Sequence, residues 1–221
     1  MKVIQWYLPF NYRIPIGSDA LWVEEIQPMT HRVALLLAPG FEEAEAFMAL
    51  DVLERLNISV IKIACHTEKT VTSYHNIKVI IDDLLCEKMD VLFDAVVIPG
   101  GPLGTDNLTT NTDVIEFIRR HDQAGKWICP ICSAAAKVLG RHGLLKGRRY
   151  VCSGDLYQSV TDGEYVDAAV VEDGNLLSGK GLGLVFDFAF NIAHKLTGDT
   201  EQVRFHADHI YHQLTLLGDE A

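Results

Sequence analysis

The chain has 221 residues, a length at which one domain can bury a sizeable hydrophobic core. Hydrophobic residues make up 48% of the chain and charged residues 22%, which is typical of a globular protein. The net charge of -11 argues against a nucleic-acid partner, because a phosphate backbone is usually bound by a basic patch. No apolar run reaches the ~18 residues of a membrane-spanning helix, so we expect no membrane insertion.

The cysteine pattern favours a reducing compartment. Five cysteines are an odd number, and their spacing does not resemble a disulfide framework. Near the N-terminus, Lys2 precedes a short apolar run, but Pro9 interrupts it too early for a signal peptide. We therefore expect a cytoplasmic protein.

Residues 1–28 differ from the rest of the chain, because they are rich in aromatic residues and show no clear period. Two interpretations are open. In the first, Met29 is the natural start and the upstream stretch is a mis-assigned leader. In the second, the stretch is a real arm that packs on the domain or on a partner subunit. Residues 29–221 are predicted to form a single α/β domain.

Strands and helices alternate in the sequence from residue 33 onward. Residues 33–38 are fully apolar and predict a central parallel strand, and the apolar spacing over 43–56 predicts an amphipathic helix. Asp173 and Gly174 are typical of a hairpin turn. Further strands are predicted at 60–64, 71–74, 77–81, 95–98, 127–131, 149–152, 168–172 and 175–178. Further helices are predicted from 84, and at 113–124 (capped by Thr110 or Thr112), 133–139, 185–196 and 203–217.

This alternation predicts a flavodoxin-like α/β fold. Its sheet is doubly wound and mostly parallel, with helices on both faces, so that the domain is a three-layer sandwich. In such a sheet, binding sites form outside the carboxyl ends of the strands.

Cys132 lies between a predicted strand and a predicted helix that begins with Ser133. A residue at such a junction is held on a sharp turn at the carboxyl edge of the sheet, as in a nucleophile elbow. The adjacent helix N-terminus favours negative charge, so we expect it to lower the pKa of the Cys132 thiol.

Two other strand ends carry groups that could serve this thiol. Glutamates follow the first strand, and Gly100 and Gly101 follow the strand at 95–98. A carboxyl beside a thiol can hydrogen-bond the thiolate or shuttle a proton, and backbone N–H groups can stabilise an oxyanion. A buried cysteine, an acidic helix start and a glycine turn each have ordinary structural explanations. The prediction of a site depends on all three occurring at separate strand ends.

A specific resemblance is carried by residues 38–45, 96–108 and 131–134, and residues 174–181 extend it. From residue 32 to about residue 197, the chain resembles the DJ-one/ThiJ/PfpI superfamily, within the class I glutamine-amidotransferase-like fold. The activities attributed to that superfamily include glutathione-independent glyoxalase, deglycation of early sugar adducts, redox-regulated chaperone action and, in some relatives, peptidase activity. The resemblance also implies a homodimer and no cofactor.

The resemblance implies a role for individual residues. Cys132 is the nucleophilic and oxidisable cysteine, and Glu45 is the carboxyl that contacts it. Gly101 and Ser133 offer the oxyanion-binding amides. The further candidates for substrate binding are Gly100, Glu42 and Lys180.

The chain departs from the superfamily pattern at three places. Many relatives carry a histidine at the position of Ser153, so we expect no Cys-His peptidase. Many relatives have an arginine near Lys180, and lysine keeps the charge without the bidentate fork. Ala134 and Ala135 replace a Gly-Pro pair that some members carry.

Two further thiols are candidates for accessory roles. Cys129 and Cys132 form a C-x-x-C pattern, but a thioredoxin-like pair would place its first cysteine at a helix N-terminus, and Cys129 lies within the strand. Cys152 could act as a resolving thiol. Cys65 and Cys86 are interpreted as structural.

Neither a metal nor a nucleotide cofactor is expected. His206, His209 and His212 follow a helical spacing that drifts around the helix, which favours a solvated or dimer-facing surface over a metal site. Residues 179–183 are glycine-rich but match neither the P-loop nor the dinucleotide fingerprint.

The leading hypothesis is an enzyme that processes small reactive carbonyls, such as methylglyoxal or its adducts. Cys132 forms a thiohemiacetal with the substrate, and Glu45 moves a proton. The competing hypothesis is a non-catalytic sensor or chaperone in which Cys132 is oxidised and Glu45 stabilises the product. No residue supports a role in thiamine metabolism.

Overall fold

The computed structural model describes residues 31–81 and 83–218, so the predicted extension 1–28 lies outside the described residues. The strands are β1 (His31–Leu37), β2 (Ile58–Ala64), β3 (Thr70–Thr72), β4 (Lys78–Ile80), β5 (Asp83–Leu84), β6 (Ala95–Ile98), β7 (Trp127–Pro130), β8 (Arg149–Tyr150), β9 (Glu164–Tyr165), β10 (Val170–Asp173) and β11 (Leu176–Gly179). The α-helices are α1 (Glu43–Arg55), α2 (Pro102–Thr110), α3 (Thr112–Gln123), α4 (Val185–Thr197) and α5 (Thr200–His209).

Seven strands form the central sheet in the order β10-β11-β7-β6-β1-β2-β5. All neighbouring pairs are parallel except β10 and β11, which form the hairpin predicted at Asp173 and Gly174. The chain starts the sheet at β1, adds β2 on one side and then β6 and β7 on the other. The predicted doubly wound, mostly parallel sheet is confirmed.

Alternate residues of the central strands feed two separate cores. In β1, Val33 and Leu35 face one hydrophobic cluster, whereas Ala34 and Leu36 face the other. The first cluster includes buried residues of α1, α4 and α5, and the second includes buried residues of α2, α3 and the segment after Cys132. A strand that is buried on both faces needs apolar residues at every position, which explains the continuous apolar run of β1.

Helix α2 was absent from the predicted elements. The run from Pro99 to Gly104 is dense in glycine and proline and is typical of a turn. The helix nevertheless begins there, with Gly101 as its N-cap and Pro102 at the first helical position, where the missing proline N–H costs no hydrogen bond. The carboxyl edge of β6 therefore leads directly into a helix N-terminus.

Three predicted boundaries were wrong. The cap of α3 is Asn111, whose side chain accepts from two backbone N–H groups, and neither Thr110 nor Thr112 has this role. The last helix ends at His209 and does not continue to residue 217. The short helix predicted from residue 84 begins one residue later, as a single 3₁₀ turn at Leu85–Glu87, and the short strand β5 precedes it. None of the helices in the described ranges combines the length and apolarity that crossing a bilayer requires.

Candidate functional site

Cys132 occupies a strained backbone turn immediately after β7. Its φ is +61°, in the left-handed region that non-glycine residues rarely adopt. Two backbone hydrogen bonds hold the turn: Cys132 N–H donates to Gly179 O at 2.9 Å, and Ser153 N–H donates to Cys132 O at 3.1 Å. A strained residue that its neighbours fix in this way is typical of an active site, and the geometry agrees with the predicted nucleophile elbow.

The helical segment after Cys132 is wider than an α-helix. Ala135–Leu139 forms a π-helical turn, in which Gly140 N–H donates to Ala135 O. Such widened turns occur frequently next to functional sites. The predicted helix at 133–139 is therefore present, but its geometry differs from that expected.

The side chain of Glu45, in the first turn of α1, extends to the Cys132 thiol. Its side chain is 1% exposed, and its Oε2 accepts a hydrogen bond of 2.8 Å from Gly100 N–H at the end of β6. The carboxyl also lies within hydrogen-bonding reach of the Cys132 thiol. Its Oε1 is buried and has no hydrogen-bond partner among the described residues. A buried oxygen without a partner favours the protonated carboxyl, because an ionised one would be poorly solvated.

The absence of a side chain at Gly100 makes this arrangement possible. A Cβ placed there would lie 2.7 Å from Cys132 Cβ, 2.8 Å from Glu45 Oε2 and 3.0 Å from Cys132 Sγ. These distances are below normal van der Waals contact. Position 100 therefore lets the carboxyl and the thiol share one small space.

The carboxyl and the thiol affect each other's ionisation. Burial raises the pKa of Glu45 to about 7, and the negative charge of Glu42 adds to the increase. The hydrogen bond from Gly100 N–H acts in the opposite direction and lowers this pKa. Burial also raises the pKa of Cys132 to about 11, and the charge of ionised Glu45 contributes. The expected lowering of the thiol pKa was therefore wrong, because burial and Glu45 outweigh the nearby donors.

The two donors beside the sulfur belong to serine residues. The backbone N–H of Ser133 and the hydroxyl of Ser153 lie close enough to the sulfur to lower its pKa. Both interactions favour the thiolate, so the thiol pKa falls when Glu45 is protonated and its charge is removed. From the sequence, Ser153 was notable only because many relatives carry a histidine at that position. The signal available was its position after Tyr150-Val151-Cys152, at a further strand end.

The two glycines at the end of β6 differ in their hydrogen bonds. Gly100 N–H donates to Glu45 and so holds the carboxyl, while the role of Gly100 in substrate binding stays a prediction. Gly101 caps α2 with a φ of +96°, and its N–H is used by none of the described residues. Gly101 and Ser133 stay the candidates for binding an oxyanion.

Glu42 and Lys180 have other partners. The Glu42 carboxylate caps α1 by accepting from Glu45 N–H at 2.6 Å, so it fixes the helix turn that carries Glu45. The Lys180 ammonium pairs with Asp167 at 2.5 Å on the surface. A substrate-binding role for these two side chains stays a prediction.

The other thiols differ in their surroundings. Cys129 points into the hydrophobic core, where burial raises its pKa. Cys152 is also buried, but it is close enough for its charge to interact with that of Cys132, and burial raises its pKa to about 11. Cys65 is buried, which agrees with a structural role, whereas Cys86 is exposed. All five thiols are free.

The histidines of the C-terminal region do not gather into a site. His206 is buried, whereas His212 bonds the Asp187 carboxylate at 3.0 Å. Within the described ranges, the grouping whose ligand atoms lie within 4.8 Å of one another is Glu42, Glu43 and His75. Glu43 already pairs with His75 at 2.6 Å, and Glu42 caps α1, so hydrogen bonds account for these groups.

Comparison with known proteins identifies the family. The model of the DJ-1/PfpI family matches residues 31–195. The protein dj-1beta of Drosophila melanogaster is 34% identical over 172 residues, which cover 77% of this chain and 91% of that protein. The glutathione-independent glyoxalase DJR-1.2 of Caenorhabditis elegans is 31% identical over 169 residues, which cover 75% and 89%.

A solved structure agrees with this assignment. It is a cysteine-to-alanine mutant of a DJ-1 superfamily protein from Salmonella typhimurium, 61% identical, with a TM-score of 0.82 over 83% of this chain and 99% of that one. Some relatives are longer: the matched region is 42% of DJ-1 homolog B from Arabidopsis thaliana, which is 30% identical over 188 residues. The chain belongs to the DJ-1/PfpI family.

Proposed function

We propose that this protein converts small 2-oxoaldehydes such as methylglyoxal into 2-hydroxy acids without glutathione. The observation that carries the proposal is the Glu45 carboxyl, which is buried against the Cys132 thiol and has a pKa raised to about 7. A group with this pKa can both give and take a proton near neutral pH. The glyoxalase relative in Caenorhabditis elegans supports the same substrate class.

In the first step, the sulfur of Cys132 adds to the aldehyde carbon. A new carbon–sulfur bond forms, and the carbonyl electron pair moves to the oxygen. Ionised Glu45 takes the proton of the Cys132 thiol as the sulfur adds, and passes it to this oxyanion, which becomes the hydroxyl of a thiohemiacetal. The N–H groups of Gly101 and Ser133 stabilise the charge as it develops.

The second step is an isomerisation. Ionised Glu45 removes the proton from the former aldehyde carbon and returns it to the adjacent ketone carbon, while the hydroxyl proton moves between the two oxygens. The product is a thioester of the 2-hydroxy acid on Cys132. No external oxidant is needed, because one carbon is oxidised as its neighbour is reduced.

Hydrolysis of the thioester completes the cycle. Water attacks the carbonyl carbon, the carbon–sulfur bond breaks, and Cys132 leaves as a thiol. Ser153 cannot serve as a general base at neutral pH, so Glu45 is the residue that activates the water. The same chemistry extends to early sugar adducts of amines. Peptide hydrolysis of the Cys-His type is disfavoured, because Ser153 stands where many relatives carry the histidine.

The alternative proposal is a non-catalytic sensor or chaperone in which Cys132 is oxidised. The observation in its favour is the pair of donors at the sulfur, Ser133 N–H and the Ser153 hydroxyl. Both can hydrogen-bond the oxygens of a sulfinate, and protonated Glu45 adds a third donor.

The predicted homodimer is also kept as a proposal. Apolar side chains are exposed on the β3–β4 hairpin and on α1, namely Met48, Tyr74, Ile77 and Ile80. Exposed apolar groups in one region are typical of an interaction surface. Sedimentation of the full chain tests this proposal, and a monomer at micromolar concentration contradicts it.

Turnover separates the enzyme from the sensor. Wild type and Cys132→Ala are incubated with methylglyoxal without glutathione, and lactate is quantified per chain. The proposal predicts many turnovers in wild type and none in the variant. No turnover, with one Cys132 consumed per chain by peroxide, would support the sensor.

A further inference from the structure

Thr105 connects the two loops that carry the candidate oxyanion amides. It lies in α2, one turn after Gly101, and its side chain is fully buried. Its Oγ1 is 2.9 Å from Gly101 O, 3.3 Å from Pro102 O and 3.2 Å from Ser133 Oγ. Ser133 is itself only 7% exposed, so water does not compete strongly for these hydrogen bonds.

The direction of this hydrogen-bond chain follows from the donors available. Carbonyl oxygens only accept, so one arrangement satisfies every contact: the Thr105 hydroxyl donates to Gly101 O, with Pro102 O as a weaker second acceptor, and its oxygen accepts from the Ser133 hydroxyl. In this arrangement the chain runs from the Ser133 hydroxyl through Thr105 to the Gly101 carbonyl.

Both ends of the chain belong to residues whose backbone position matters for chemistry at Cys132. Ser133 N–H lies beside the sulfur and lowers its pKa, and the N–H of Gly101 has no partner among the described residues. Gly101 is already confined, because a Cβ there would lie 2.3 Å from Gly40 O. A link between the two loops fixes the distance between the two amides.

We propose that Thr105 is a positioning residue for the reaction at Cys132. Its hydroxyl holds the N-terminus of α2 against the turn that carries Cys132, so that Gly101 and Ser133 present their amides to one oxygen. Thr105 does not touch substrate and acts through those two residues. The inference rests on the proposed function, but the coupling between Thr105 and Cys132 can be measured without a carbonyl substrate.

The experiment compares Thr105→Val, which keeps the shape and removes the hydrogen bonds of the hydroxyl, with Thr105→Ser, which keeps the hydroxyl. The matched control is Thr110→Val. Thr110 lies in the same helix and its hydroxyl also bonds the carbonyl four residues earlier, at 3.0 Å from Asp106 O, but it has no link to Ser133. Two readouts are taken: kcat and KM for methylglyoxal, and the pH dependence of Cys132 alkylation by iodoacetamide, followed by peptide mass spectrometry.

We expect Thr105→Val to lower kcat by about ten-fold to a hundred-fold, with KM changed by less than about three-fold, because misplaced groups affect the transition state most. The pH midpoint of alkylation should rise, because Ser133 N–H is less well aimed at the sulfur. Thr105→Ser should restore both values, and Thr110→Val should match wild type. Equal kinetics and equal alkylation for the two valine variants would overturn the inference.

Two further variants extend the test: Ser133→Ala and the double variant with Thr105→Val. If Thr105→Val does not fold, Ser133→Ala removes the other end of the chain, and the alkylation midpoint should again rise; an unchanged midpoint would overturn the inference. If both single variants fold, the double variant Thr105→Val/Ser133→Ala should change kcat and the alkylation midpoint by no more than the larger single effect, since both substitutions remove the same link. If wild type shows no carbonyl turnover, the proposed function fails, and the alkylation profiles alone decide the role of Thr105.

Discussion

Gly100 donates its backbone N–H to Oε2 of Glu45 at 2.8 Å, joining residues that are 55 positions apart in the chain. This hydrogen bond connects the end of β6 to the first turn of α1. Gly100 has no side chain, so the space between the Glu45 carboxyl and the Cys132 thiol stays open. One glycine therefore both holds Glu45 and permits its contact with Cys132.

Replacing Gly100 with alanine should separate the carboxyl from the thiol. The new methyl group would lie 2.7 Å from Cys132 Cβ, so the side chains must move, at a cost of about 1–3 kcal/mol in the free energy of unfolding. Carbonyl turnover should fall by at least about ten-fold. Gly183→Ala is the control, because a Cβ at Gly183 meets nothing within 4 Å. Equal turnover for both variants would contradict this role of Gly100.

The strain at Cys132 can be measured by replacing it with two residues that lack the thiol. At a φ of +61°, alanine carries the steric cost of the left-handed region, whereas glycine does not. We expect Cys132→Gly to be more stable than Cys132→Ala by about 1 kcal/mol in urea unfolding. An alanine variant as stable as the glycine variant would show that the turn is relaxed.

Ser153 should favour the thiolate form of Cys132. Ser153→Ala removes the hydroxyl donor at the sulfur, so the pH midpoint of Cys132 alkylation should rise. Ser159→Ala is a suitable control, because that exposed hydroxyl bonds only Leu156 O, at 2.9 Å. A midpoint that is the same in both variants would remove Ser153 from the site.

The raised pKa of Glu45 predicts a pH-dependent stability. Because the pKa of the folded form lies near 7, above the ordinary value of 4.5, the favourable contribution is complete below pH 4.5 and is lost as the pH rises through 7. Relative to Glu45→Gln, wild type should lose up to about 3 kcal/mol of unfolding free energy between pH 4.5 and 8. Glu116→Gln, on the exposed face of α3, controls for the loss of one charge. A constant difference between wild type and Glu45→Gln would contradict the raised pKa.

The sequence was informative where burial and local pattern agree. The apolar run of β1 and the spacing along α1 depend on which faces are buried, and both elements appear close to the predicted positions. The junction at Cys132 was predictable because a short apolar strand runs directly into a helix start. Parallel topology then brings the ends of β1, β6 and β7 to one edge.

The details of the site depend on tertiary contacts that local pattern does not carry. The sequence shows two adjacent glycines, but only the fold assigns Gly100 to Glu45 and leaves Gly101 free of described partners. It shows a helix start beside Cys132, but the burial that raises the thiol pKa comes from the surrounding elements. Thr105 was missed because its helix was predicted as a turn.

The most direct test of the proposed mechanism is the kcat of Glu45→Gln for lactate formation from methylglyoxal at neutral pH, without glutathione. Glutamine keeps the size of the side chain and cannot shuttle a proton. We predict a fall of at least about a hundred-fold relative to wild type. Glu43→Gln, on the same helix turn, should stay within about three-fold of wild type. A Glu45→Gln variant with wild-type kcat would contradict the central claim that Glu45 moves the proton.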